Sequence, residues 1–186
     1  MNTTSAKNLL IFTTVSSIWA IVFGFIGPFY VVYVERLSGG MEKLGIAFAI
    51  MVLLQSLTSY FAGYFSDKLG RRPFLFTAAY IDAIILFLYT VINETYQLYL
   101  LQGILGITNG MWETISTSLL GDLTIKGKRG KAIGKFHAIV GLSSAIGLSL
   151  GGYMAKFYGL KSLFYLAAIV VALSTGLLFR IKEGDD

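Results

Sequence analysis

The chain has 186 residues, of which 55% are hydrophobic and only 13% charged, too few charges for a soluble domain of this size. It contains no cysteine and one histidine, so disulfides, thiolate metal sites and multi-histidine metal sites within one chain are excluded, and no cofactor is expected. The net charge of +5 raises nucleic acid as a partner, but the placement of the cations gives it another meaning.

The apolar runs come in order. The first is 9–34, preceded by Lys7. It is too long for a signal peptide and no small-residue cleavage site follows it, so it reads as a retained spanning helix. The others are 44–66, 73–92, 96–121, 132–155 and 160–179. Each is long enough to cross a hydrocarbon core of about 30 Å. The expected fold is therefore an all-α membrane protein: one domain, 1–186, of six transmembrane helices with short loops. Asn93-Glu94-Thr95 fits a glycosylation sequon, but its loop is so short that it reads as a plain turn.

Lys and Arg set the orientation. With the N-terminus inside, the inner segments hold Lys7, Lys68, Arg71, Arg72, Lys126, Lys128, Arg129, Lys131, Lys135, Arg180 and Lys182. The outer segments hold Arg36, Lys43, Lys156 and Lys161. Eleven cations against four put both termini in the cytoplasm. The basic balance is thus topological and calls for a lipid bilayer rather than nucleic acid. The location expected is the cell membrane, with multiple passes.

An internal repeat is visible. Residues 62–79 and 151–168 align at an offset of 89, matching Gly63 with Gly152, Tyr64 with Tyr153, Gly70 with Gly159 and Ala78-Ala79 with Ala167-Ala168. One copy is cytoplasmic and the other external. The six helices therefore read as two inverted three-helix repeats, a common transporter construction.

Between the second and third runs lies Gly63-Tyr64-Phe65-Ser66-Asp67-Lys68-Leu69-Gly70-Arg71-Arg72. Its glycines permit a tight turn. The spacing resembles the signature loop between helices 2 and 3 of the major facilitator superfamily, G-x-x-x-D-[RK]-x-G-R-[RK]. Gly63, Asp67, Lys68, Gly70, Arg71 and Arg72 match every specified position. The resemblance implies one six-helix half of that fold, similar to the N-terminal half. It also implies a cytoplasmic gate in which Asp67 and Arg71 act with an acid at the end of helix 4, here Asp122. Two motifs depart from the family. Tyr99 stands where many proton-coupled members carry an arginine before Gln102-Gly103. In helix 5, Ser143 and Leu148 replace the first glycine and the proline of the antiporter pattern, although Gly147, Gly151 and Gly152 match it.

Ionisable and polar groups inside a membrane are candidate functional groups. Helix 4 carries Gln102, Asn109, Glu113 and Ser116 at helical spacing, a stripe that would face a cavity or a neighbouring helix rather than lipid. Trp112 beside it can stack on a sugar ring or an aromatic solute. Helix 1 offers Thr13, Ser16, Ser17, Gly24, Gly27 and Pro28 along one side, and helix 2 offers Gln55. The resemblance implies that helices 1 and 4 line a substrate cavity. Glu113 and Asp82 are the candidates for proton coupling, with a structural hydrogen bond from Asp82 to helix 2 the slightly favoured alternative. His137 reads as interfacial.

The expected function is a secondary or facilitative transporter of a small organic solute, such as a sugar, working by alternating access. A carrier of lipophilic cations drawn to Glu113 is the alternative, as is a non-transporting half of a longer carrier. No clustered nucleophile, metal spacing or His–Asp pattern argues for an enzyme. One half alone leaves polar faces towards lipid, so a parallel homodimer is expected. In it helix 2 of one chain meets the small residues Gly141, Gly151 and Gly152 of helix 5 in the other.

Overall fold

The structure is a computed structural model that describes residues 3–181. Lys182, counted among the inner cations, lies outside the described residues. The described residues form α1 (Thr3–Ser38), α2 (Met41–Leu69), α3 (Arg72–Leu88), α4 (Thr95–Asp122), α5 (Arg129–Tyr158) and α6 (Leu160–Thr175). Short 3₁₀ turns at Lys126–Lys128 and Gly176–Arg180 precede α5 and follow α6.

Most helices run beyond their apolar runs, because extending a helix satisfies backbone groups that lipid cannot. Thus α1 starts at Thr3 rather than residue 9 and continues through Pro28 to Ser38. By contrast, α3 stops at Leu88, and residues 89–91 form a turn in which the Thr90 amide donates to the Phe87 carbonyl at 3.0 Å. The sequon is a helix start: Glu94 caps α4 reciprocally with Gln97. Four helical stretches, Thr4–Leu37, Met41–Leu69, Lys126–Tyr158 and Leu160–Arg180, are long and apolar enough to cross a membrane. Helix α3 has 17 residues, and α4 carries Gln102, Asn109 and Glu113 within its length.

Two seams hold the bundle: α1 packs most closely on α5, and α4 on α2. Helix α3 rests on α4 and α6, and α6 rests on α1 and α3. Glycine makes both seams possible. A Cβ at Gly147 would lie 2.1 Å from the Ile21 carbonyl oxygen, and one at Gly106 would lie 2.3 Å from that of Met51. The turns into α3 and α6 also match. Gly70 (φ 83°, ψ 160°) and Gly159 (φ 80°, ψ 164°) share a backbone conformation that favours glycine.

The core lies among α1, α3, α4 and α6, where Phe12, Val15, Tyr89, Leu98 and Phe164 are almost fully buried. In their most apolar stretches only 11% of α2 and of α5 is buried, against 39% of α1 and 44% of α6. The two flanking helices therefore present the broadest outward faces. One expectation for that surface changes. A Cβ at Gly151 would meet the Phe25 carbonyl oxygen at 2.6 Å, and Gly152 faces the Phe29 ring. Both glycines serve the α1–α5 seam within the chain rather than an outer dimer face, since a side chain at Gly151 would push α1 away. Gly141 has open space around it and remains on the outward surface.

Candidate functional site

A cavity of about 350 Å³ opens among α1, α3, α4 and α5. Its wall is chiefly aromatic. Trp19 of α1 and Trp112 of α4 stack with ring centroids 4.3 Å apart, and Phe12 stacks on Phe136 of α5 at 5.6 Å. Phe12 also leans on Trp112 at 5.9 Å, and Phe23 meets the edge of Trp19. The Trp19 indole N–H donates to Ser174 Oγ at 2.8 Å, which fixes the ring from behind. Ring pairs of this kind contribute about 0.5–1.5 kcal/mol beyond their area and hold the wall in place.

The polar groups of the wall are few. Asn109 and Ser116 come from α4, Ser16 from α1, His137 from α5 and Asp82 from α3. Asp82 is buried, 3% exposed, and its carboxylate accepts a hydrogen bond from the Thr108 hydroxyl of α4. The expected partner on helix 2 is thus replaced by one on α4, because α3 packs against α4 and barely meets α2. The hydroxyls of Ser16 and Ser17 are buried without a hydrogen-bond partner among the described residues.

The polar stripe of helix 4 divides. Asn109, Trp112 and Ser116 reach the cavity. Trp112 presents its ring to Trp19 rather than standing free. Gln102 does not line the cavity. It is fully buried and donates to the Tyr30 hydroxyl, which sits 3.1 Å from that of Tyr89. Tyr33 donates to the Tyr89 carbonyl at 2.5 Å, completing a tyrosine–glutamine knot. Glu113 and Gln55 also stand outside the cavity. They face each other across the α2–α4 seam, Gln55 Nε2 donating to Glu113 Oε2 at 2.7 Å, with Glu113 exposed. Ser17, half-buried on α1, likewise does not line it. Apart from Trp112, the aromatic wall carries no signal in the sequence, because Phe12, Trp19 and Phe136 look like ordinary core residues. His137 borders the cavity.

A second polar cluster sits at the α2–α3 turn. Gly63 packs beside Thr114 of α4, and Gly70 supplies the left-handed backbone. Asp67 lies 3.9 Å from Arg71, and Arg71 reaches across to Asp122 at 2.6 Å. Arg72 donates to the Phe179 carbonyl at 3.0 Å, tying the turn to the end of the bundle. Lys68 donates to the Tyr64 hydroxyl at 2.6 Å. At the same end of α4, Arg129 donates to the Gly121 carbonyl at 2.7 Å and so covers a free helix terminus.

The family model of the Major Facilitator Superfamily matches residues 9–186. The chain belongs to the Major Facilitator Superfamily. It is 29% identical over 157 residues to the uncharacterized MFS-type transporter YitZ of Bacillus subtilis, covering 84% of this chain and 94% of that protein. It is 31% identical over 154 residues to the multidrug resistance protein MdtG of Proteus mirabilis, covering 80% of this chain and 38% of MdtG. The MdtG of Escherichia coli strain 55989 is 30% identical over 184 residues, 95% of this chain and 45% of that protein. The chain thus spans less than half the length of these MdtG relatives. As a superfamily member it is a helical membrane protein of a transporter family.

Proposed function

We propose that this chain is a half-carrier that moves a small organic solute across the cell membrane by alternating access, without catalysis. The observation that carries the reading is the cavity. It lies among four helices, in a bundle of a transporter family, and is lined by aromatic rings with a few polar groups. All six helices cross the bilayer in this reading, with both termini cytoplasmic. The matched turns at Gly70 and Gly159, and the mirrored seams α1–α5 and α4–α2, support two inverted three-helix repeats.

The wall fits an apolar or aromatic solute better than a sugar. Gln102, expected among the sugar contacts, is tied to Tyr30 away from the cavity. The similarity to MdtG, a multidrug resistance protein, agrees with an efflux carrier of such solutes. Glu113 and Asp82 are the carboxylates available for proton coupling.

The working unit is a parallel homodimer. The match to YitZ covers 94% of that protein and the match to MdtG only 38%, as expected if half-length carriers pair to rebuild a full one. The little-buried faces of α2 and α5 suit such pairing. Uptake of labelled aromatic and sugar solutes into proteoliposomes, with and without a pH gradient, tests the transport reading. Failure to move any solute contradicts it. Cysteine pairs placed on α2 and α5 test the dimer, since the chain has no cysteine of its own. Cross-links confined to single chains contradict it.

A further inference from the structure

We propose that the cavity is an aromatic cage for an organic cation, with Asp82 of α3 as its counter-ion. The proposal deepens the carrier reading by naming the substrate class of the same cavity. It moves charge recognition from Glu113, which stands on the α2–α4 seam, to a carboxylate on the cavity wall.

Three observations carry it. First, Asp82 is a carboxylate buried to 3% exposure at a cavity wall. Among the described residues it forms no ion pair, and its hydrogen-bond donor is the neutral Thr108 hydroxyl. A charge so placed needs a counter-charge or a proton. Second, the rest of the wall is what an organic cation prefers. The Trp19–Trp112 and Phe12–Phe136 pairs line the space, and aromatic rings attract ammonium groups, tryptophan most strongly. Third, the wall lacks what other solutes need. Among the described residues it has no lysine or arginine to hold an anion, its one basic side chain being His137. Its hydroxyl and amide groups, on Ser16, Asn109 and Ser116, are too few to satisfy the many hydroxyls of a sugar. A volume of about 350 Å³ sits in the usual range for small-molecule sites.

The molecule carries its own reporter. Its two tryptophans, Trp19 and Trp112, both line this cavity, so intrinsic tryptophan fluorescence reads occupancy directly. The probe is benzyltrimethylammonium, compared with its neutral isostere neopentylbenzene, titrated into the full chain in detergent. The cation should quench saturably and bind at least tenfold more tightly than the isostere. Asp82→Asn should abolish that preference while the isostere binds as before, and Glu113→Gln should leave the preference intact. If Asp82→Asn does not fold, Trp112→Leu serves, with Trp19 as reporter. It should weaken the cation at least fivefold and the isostere less than twofold. Equal affinities in the native chain, a tenfold preference surviving Asp82→Asn, equal losses for both ligands in Trp112→Leu, or a preference lost in Glu113→Gln would each overturn the proposal. Transport of neutral solutes without this preference sinks the cation site and spares the carrier. Cation binding without transport of any solute does the reverse.

Discussion

Adding one methyl group to α5 should test the packing of the bundle. In Gly147→Ala the new Cβ would sit 2.1 Å from the Ile21 oxygen, 2.8 Å from its carbonyl carbon and 2.9 Å from its Cα. These are backbone atoms, and no rotamer change removes them. Restoring ordinary contact requires α5 to move off α1 by about 1 Å, and overpacking of this kind costs about 1–3 kcal/mol, here towards the upper end. Alanine returns about 0.5–1 kcal/mol of helix propensity. The net expectation is a loss of about 2 kcal/mol. Gly134→Ala on the same helix is the control, because nothing lies within 4 Å of its Cβ position. It should gain about 0.5–1 kcal/mol. Reversible unfolding in mixed micelles, followed by tryptophan fluorescence, compares the two. Equal stabilities would refute the claim that backbone-to-backbone contact at Gly147 sets the α1–α5 seam.

Three further perturbations follow from the geometry. Asp67→Asn and Arg71→Ala, which disrupt the Asp67–Arg71–Asp122 cluster, should slow the transport cycle more than they weaken substrate binding; a large affinity loss with normal turnover in proteoliposomes contradicts this. Glu113→Gln should abolish concentrative uptake while folded protein remains in the membrane, and unchanged pH-dependent uptake would remove Glu113 from coupling. Tyr30→Phe strips the hydroxyl that accepts from Gln102, so it should cost about 1–3 kcal/mol as an unsatisfied buried amide. The exposed Tyr80→Phe should stay within about 0.5 kcal/mol, as read by the same unfolding titration.

Much of the helix plan is legible in the sequence, because long apolar runs and glycine turns depend on local chemistry. The contact of Arg71 with Asp122 is expected only through the family resemblance, because Asp122 lies on another helix, outside the motif. What escapes a one-dimensional reading is rotation about the helix axis. Trp112 and Glu113 are neighbours in sequence yet stand about 100° apart on a helix of 3.6 residues per turn. One meets the cavity and the other the α2 seam. Helix α4 touches α1, α2 and α3, so a polar stripe does not say which neighbour it faces. Aromatic residues hide the site for a related reason. Phe12 and Trp19 are core and cavity wall at once. Gly151 shows a third limit, since a small residue licenses close approach without naming the partner helix.

The unequal lengths of the helices bear on the membrane itself. Helix α1 has 36 residues and, at about 1.5 Å per residue, measures about 54 Å. Helix α3 has 17 and measures about 26 Å. The shorter one falls below the usual hydrocarbon thickness of about 30 Å, while the longer one exceeds it and must tilt or protrude. In the proposed six-span reading, the bilayer thins on the α3 side to match the shorter helix. On that reading, lipids with short acyl chains relieve the deformation and longer ones increase it, so the protein's stability should follow acyl-chain length through hydrophobic mismatch.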